Sequence, residues 1–250
     1  MINIIGAKEA FAKYVNNYDT DHNLIKLKYN HSLRVAENCR CIAVSLGLSN
    51  EEVALAELIG LLHDIGRFEQ IKIYDIANDI KTEDHGDWGA ITLFKDNLIR
   101  DFIKTNKYDD IIKQSIKAHN KPVIPNDYNQ QEKLYSQIVR DADKMDIIYL
   151  LTNNELNIMV PNEALSDPVV ESILNETYIN KKDVVTDLDK MLLHLALIYD
   201  LNFSYSFNVI KENNYIPMII DLLKLKEPKS ITLCNKIKEF MNKDFKKKES

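Results

Sequence analysis

Glycine and proline are scarce, with six of each in 250 residues. A sandwich or barrel needs a turn signal roughly every 8–12 residues, so this scarcity argues against an all-β chain. Cysteine is scarcer still: Cys39, Cys41 and Cys234. An odd count without framework spacing reads as free thiols in a reducing compartment, and Cys39-Arg-Cys41 lacks the spacing of a zinc knuckle. No apolar run approaches the roughly 18 residues of a membrane span. The N-terminus lacks the basic start of a secretory leader. The net charge of −6 gives no global reason to expect nucleic acid as a partner. A Gly-rich phosphate loop, a Gly-x-Ser-x-Gly elbow and a Cys-x-x-Cys pair are all missing. The expectation is a soluble cytoplasmic protein with neither a membrane nor a nucleic-acid partner.

What is present is apolar content, 45% of the chain, enough for a sizeable core at this length. The pattern is helical. Residues 6–18 read as a short amphipathic helix, and a longer one follows from about Leu27 to Leu46, with Leu33, Val35, Ala36 and Ile42 facing inward and Gly47 as its C-cap. Ser49 and Glu52 form a capping box. The helix they open is apolar on nearly every side, which marks it as central. It runs into His63-Asp64, and Gly66 is placed to terminate it. Residues 75–87 read as a loop. Further helices are expected from Asp84 through about Asn97, over 109–119 and over 132–153. The remaining hundred residues read as helices at 168–175, 184–199 and 214–225, broken by Pro161, Pro217 and Pro228. The tail, with Lys246-Lys-Lys248, reads as a frayed, solvated end.

His63-Asp64 draws weight from its company. The chain has six histidines, and four of them join two aspartates in the order His31, His63, Asp64, His85, His119, Asp141. All lie on, or at the ends of, separate expected helices, and a bundle can aim such residues at one point. Imidazole and carboxylate suit Mn, Fe, Zn, Co or Ni, with Mg also admissible. Six ligands exceed the needs of one tetrahedral ion. They suffice for two ions ~3.5–4 Å apart bridged by a carboxylate, and Asp64 is the natural bridge. Neutral histidines, two aspartates and two divalent ions leave the site electropositive. Such a site attracts a phosphate and brings bound water toward a pKa of ~7.

Local contexts carry a resemblance. Tyr29-Asn-His-Ser-Leu-Arg-Val35, Leu61-Leu-His-Asp-Ile-Gly66 and Val139-Arg-Asp-Ala-Asp-Lys-Met-Asp146 resemble three motifs of the HD-domain superfamily of metal-dependent phosphohydrolases, over roughly residues 25–150. His85-Gly86 and Ala118-His119-Asn120 resemble the subset that holds two metals. The resemblance implies an all-α HD-domain helical bundle with additional C-terminal helices. It also implies that His31, His63, Asp64 and Asp141 hold one ion while Asp64, His85 and His119 hold the other. The motif that marks cyclic-di-GMP phosphodiesterases is missing after His119. The acidic pair of guanosine tetraphosphate hydrolases is missing after Asp64. The ligand pattern is also similar to that of the superfamily's mixed-valent di-iron oxygenases.

Around this set, Asp64 is the central catalytic residue, and Arg67 and Lys144 are candidates to touch substrate. Arg67 lies just past the motif, and Lys144 follows Asp141 by three residues on a helix. Arg34 reads as a partner in a structural ion pair. Asp143 and Asp146 read as groups that orient their neighbours. His22 reads as part of a solvated loop, His194 as a core histidine, and Phe68 and Trp88 as core packing or as walls of the pocket. The whole is read as one all-α domain over 1–250, its core at about 20–155 and its C-terminal extension at about 156–250. Its activity would be hydrolysis of a phosphate ester, in a nucleotide or small phosphorylated metabolite, by a metal-bound hydroxide. A di-iron oxygenase and a non-catalytic nucleotide sensor are the alternatives. Oligomeric state is left open.

Overall fold

The computed structural model describes residues 2–79, 81–153 and 164–245. The chain is all-α, and no strand occurs among the described residues. It divides into two compact units, Met1–Asp143 and Lys144–Ser250. The sequence reading sets its core boundary near 155; the division into units falls earlier, inside one long helix. That expected boundary lies outside the described residues, as do Pro161 and the Lys246–Lys248 run.

The first unit holds α1 (Ile4–Val15), α2 (Asn23–Ser45), α3 (Asn50–Leu62), α4 (Ile65–Tyr74), α5 (His85–Phe94), the single turn α6 (Ile99–Phe102), α7 (Asp109–Ala118) and the start of α8 (Gln130–Thr152). Helix α3 packs against α1, α2 and α7, while α4 and α5 pack on each other. The expected central helix is central: every residue from Leu55 to Leu62 is buried. Its capping box of Ser49 and Glu52 is formed in both directions, which satisfies two of the helix's orphan N–H groups. Helix α2 ends as expected at Gly47, whose φ is +71°. The Gly47 N–H bonds the Val44 carbonyl and the Leu48 N–H bonds that of Ala43, a Schellman closure.

Gly66 has a different role from the one the sequence reading gave it. Helix α3 stops at Leu62, and Gly66 is the second residue of α4. A Cβ there would lie 2.5 Å from the His85 carbonyl oxygen and 2.6 Å from the Gly89 backbone nitrogen. The missing side chain lets α4 approach α5, which brings the two helix starts together.

The second unit holds the end of α8, α9 (Asp167–Leu174), α10 (Asp187–Leu195), α11 (Ser204–Glu212), α12 (Tyr215–Leu223) and α13 (Pro228–Met241), with 3-10 turns at Lys181–Asp183 and Ala196–Asp200. Pro217 and Pro228 do not break helices, contrary to the sequence reading. They lie in the first turns of α12 and α13, where a missing N–H leaves no intrahelical bond unmade.

Candidate metal centre

Five of the six expected ligands come together in the first unit. His31 lies within α2. His63 caps the C-terminus of α3, and Asp64, at φ −101° and ψ 15°, turns the chain into α4. His85 is the first residue of α5, and His119 caps α7. Helix ends thus supply four of the five, and all five residues are buried.

The geometry centres on Asp64. Its Oδ2 lies 3.4 Å from His31 Nε2 and 3.6 Å from His63 Nε2. Its Oδ1 lies 3.1 Å from His85 Nε2 and 3.7 Å from His119 Nε2. The histidines therefore fall into two pairs, one on each carboxylate oxygen. Within the pairs the Nε2 atoms are 3.2 Å apart for His31 and His63, and 2.8 Å apart for His85 and His119.

The sixth position needs a correction. Asp143, not Asp141, faces this cluster: its Oδ1 lies 3.2 Å from His31 Nε2 and 3.8 Å from His63 Nε2. Residues two apart on an α-helix point about 200° away from each other, so only one of the two can look at a given site. Asp141 is fully buried and belongs to none of the ligand-type groups found among the described residues. Those groups are His31-His63-Asp64, His63-His119-Asp143 and Asp64-His85-His119.

The outer ring nitrogens fix the tautomers. His63 Nδ1 donates to the Gly60 carbonyl at 2.7 Å, and His119 Nδ1 donates to the Ile116 carbonyl at 2.6 Å. A carbonyl only accepts, so each of these rings, when neutral, turns a bare Nε2 lone pair toward Asp64. His85 Nδ1 sits 2.7 Å from Asp79 Oδ2 and donates in the same way. Burial pushes His63 down to about 3, against the opposing pull of the Asp64 charge. Burial also lowers His119. Burial pushes the Asp64 carboxyl up, but contacts led by the Lys28 ammonium reverse this and hold it well below the usual carboxylate range. Asp143 is likewise held low, burial being outweighed chiefly by the hydrogen bond from His31.

Two lone pairs at 2.8 Å repel unless something positive lies between them. One proton serves one pair, whereas a divalent ion serves every donor around it. Ligand bonds of ~2.1 Å at tetrahedral or octahedral angles put adjacent donor atoms about 3.0–3.4 Å apart. The observed spacings of 2.8–3.8 Å bracket that range. Neutral imidazoles with ionised carboxylates are the protonation states a divalent ion requires. The residues fit.

Asp79, unremarked in the sequence reading, organises one side of the site. It accepts from His85 Nδ1, from Arg67 Nη1 at 2.7 Å and from Gln70 Nε2 at 3.3 Å. Burial raises its carboxyl, but the bond from His85 and the His85 and Arg67 charges pull it far below its ordinary value. Its only sequence signal was its place in the loop before His85. Arg67, a candidate for substrate, also bonds Gln70 Oε1 at 2.6 Å, so its guanidinium braces Asp79. Lys144, the other candidate, belongs to the second unit, where its amine bonds the Asp200 carboxylate at 2.8 Å and the Asp200 carbonyl at 2.9 Å. Phe68 packs in a core aromatic cluster with Phe11, Tyr14 and Tyr18. His22 caps α2 and pairs with Asp75 at 2.8 Å. His194 Nδ1 is buried without a hydrogen-bond partner.

One comparison with known proteins is informative. A family model described as HD domain matches residues 29–148, the stretch that carries the five gathered residues named above and Asp143. No curated protein and no solved structure gives a significant match. No helix among the described residues is long and apolar enough to cross a membrane.

Proposed function

Since the chain belongs to the HD-domain superfamily through residues 29–148, we propose that it is a two-metal phosphohydrolase acting on a nucleotide or another small phosphorylated metabolite. The superfamily is one of metal-dependent phosphohydrolases, and the His and Asp groups here are compatible with metal binding. The observation that carries the finer reading is the pairing of four Nε2 atoms on the two oxygens of Asp64. One ion would be held by His31, His63, Asp64 and Asp143. The other would be held by Asp64, His85 and His119.

Divalent ions in such a site supply Lewis acidity toward phosphoryl oxygens and acidify water at neutral pH. The chain's own residues prepare for this. His63 is neutral throughout the physiological range, so it need lose no proton to become a ligand. The Gly60 and Ile116 carbonyls and the Asp79 carboxylate hold three rings in register from behind, and such outer contacts typically matter ~10–100-fold in metal affinity. Asp64 and Asp143 contribute −2 against neutral histidines, leaving a loaded site positive and receptive to phosphate.

The test is metal content of the purified protein, then turnover of phosphomonoesters, phosphodiesters and nucleotides with added Mn or Fe, with and without oxygen. Hydrolysis that ignores oxygen and is lost in His63→Ala and Asp64→Ala supports the reading. Strict oxygen dependence would assign the site to oxygenase chemistry instead. Unchanged metal content and hydrolysis in both variants would end it.

A further inference from the structure

The sequence offers Arg67 and Lys144 as candidates for substrate contact. In the structure the Arg67 Nη1 bonds Asp79 and Gln70 while its Nε, buried without a hydrogen-bond partner, lies 3.8 Å from the other Asp64 oxygen, Oδ1, and the Lys144 amine bonds Asp200. A third cation, Lys28, touches the cluster from its more exposed side. Lys28 is one helical turn before His31 on α2 and shares its face. Its Nζ lies 2.7 Å from Asp64 Oδ2, the oxygen that His31 and His63 also face. Its side chain retains 19% exposure, against 3% for Asp64, so it links the buried cluster to the surface.

We propose that Lys28 is the substrate-binding cation of this site, taking a phosphoryl oxygen of the anion that the centre receives. The inference rests on the two-metal reading above. Lys28 and a metal ion have competing claims on a single oxygen. Asp64 Oδ2 carries at most two good acceptor directions beyond its C–O bond. A divalent ion held by His31 and His63 would take one of them and reduce the oxygen's negative charge. The ammonium would then keep three donors and a weakened partner, and Asp64 is its only ion-pair partner among the described residues. A phosphate oxygen arriving from the solvent side, where the Lys28 side chain keeps some exposure, offers full negative charge. Lys suits this role as a compact point charge on a flexible stem, able to swing from carboxylate to phosphate.

This has an unusual signature. Lys28 and a divalent ion compete for Asp64 Oδ2, whereas Lys28 and the ion act together on phosphate. Removing the amine should therefore push the two affinities in different directions.

The experiment is calorimetric titration of the full chain, first with Mn alone and then with inorganic phosphate on the Mn-loaded protein. It compares wild type, Lys28→Met and Lys28→Arg, with circular dichroism to verify folding. Lys28→Met should bind Mn as tightly as wild type or more tightly, and bind phosphate at least tenfold more weakly. Lys28→Arg, which keeps the charge, should stay within about threefold of wild type for phosphate. Phosphate affinity unchanged in Lys28→Met would overturn the assignment. So would a parallel loss of Mn and phosphate affinity in a folded variant, because Lys28 would then serve only to hold Asp64. Phosphate that fails to bind Mn-loaded wild type would refute the anion role while leaving the metal reading standing. A wild type that binds no divalent ion would remove both.

Discussion

His85 Nε2 and His119 Nε2 lie 2.8 Å apart, although both rings commit their Nδ1 hydrogens to acceptors behind them, Asp79 and the Ile116 carbonyl. The contact is favourable only with positive charge between the rings. A divalent ion at a hundredfold its Kd stabilises a protein by about 2.7 kcal/mol. Saturating Mn or Zn should therefore raise the melting temperature by several degrees, and a chelator should reverse it. A melting curve indifferent to both, in protein first stripped of metal, would contradict the two-metal site.

Asp143 and Asp141 should separate cleanly. Asp143→Asn removes a carboxylate 3.2 Å from His31 Nε2 and should lower metal content and hydrolysis at least tenfold with a near-normal fold. Asp141→Asn changes a fully buried group outside the ligand cluster and should cost stability, about 1–3 kcal/mol, while metal stoichiometry stays intact. Reversal of the two phenotypes would restore the assignment made from sequence.

Asp79 holds His85 from behind, so Asp79→Asn should weaken metal binding by about 10–100-fold without removing a ligand. Metal titration followed by calorimetry reads this directly. An affinity within twofold of wild type would mean that the His85 ring is held by packing alone.

Gly66→Ala tests the approach of α4 to α5. The new methyl would meet backbone atoms of His85 and Gly89 rather than a side chain that can swing away. A loss of roughly 2–3 kcal/mol is expected in denaturant unfolding, with metal binding also impaired because His85 must shift. A neutral substitution would show that the helix pair relaxes freely.

Acid stability should depend on His194. Burial, with smaller contributions from Lys190 and Lys181, lowers it from 6.5 to about 4 in the folded chain. Above pH 6.5 both folded and unfolded states are neutral, and no penalty exists. Between 6.5 and about 4 the unfolded chain takes up the proton first, and stability falls by on the order of 3 kcal/mol. His194→Leu should make that limb shallower, leaving the part due to His63 and His119, which burial also lowers. An identical slope in the variant would assign the acid loss to other groups.

Helix periodicity, the Ser49 and Glu52 box and the glycine stop at Gly47 were legible in the sequence, because each depends on residues within a few positions of one another. So was the grouping of His31, His63, Asp64, His85 and His119, because the short motifs around them carry the resemblance to the HD-domain superfamily, whatever the fold between them. Three things were decided only by tertiary structure. Asp143 rather than Asp141 faces the histidines because the rotation of α8 about its axis is set by packing, and two aspartates two residues apart look alike in a sequence. Gly66 serves a helix contact rather than a helix end because its constraint comes from α5, some twenty positions away. Lys28, Arg67 and Lys144 are all cations of the right kind. Their partners Asp64, Asp79 and Asp200 are 12 to 56 residues away in the chain, and only the folded chain brings each pair into contact.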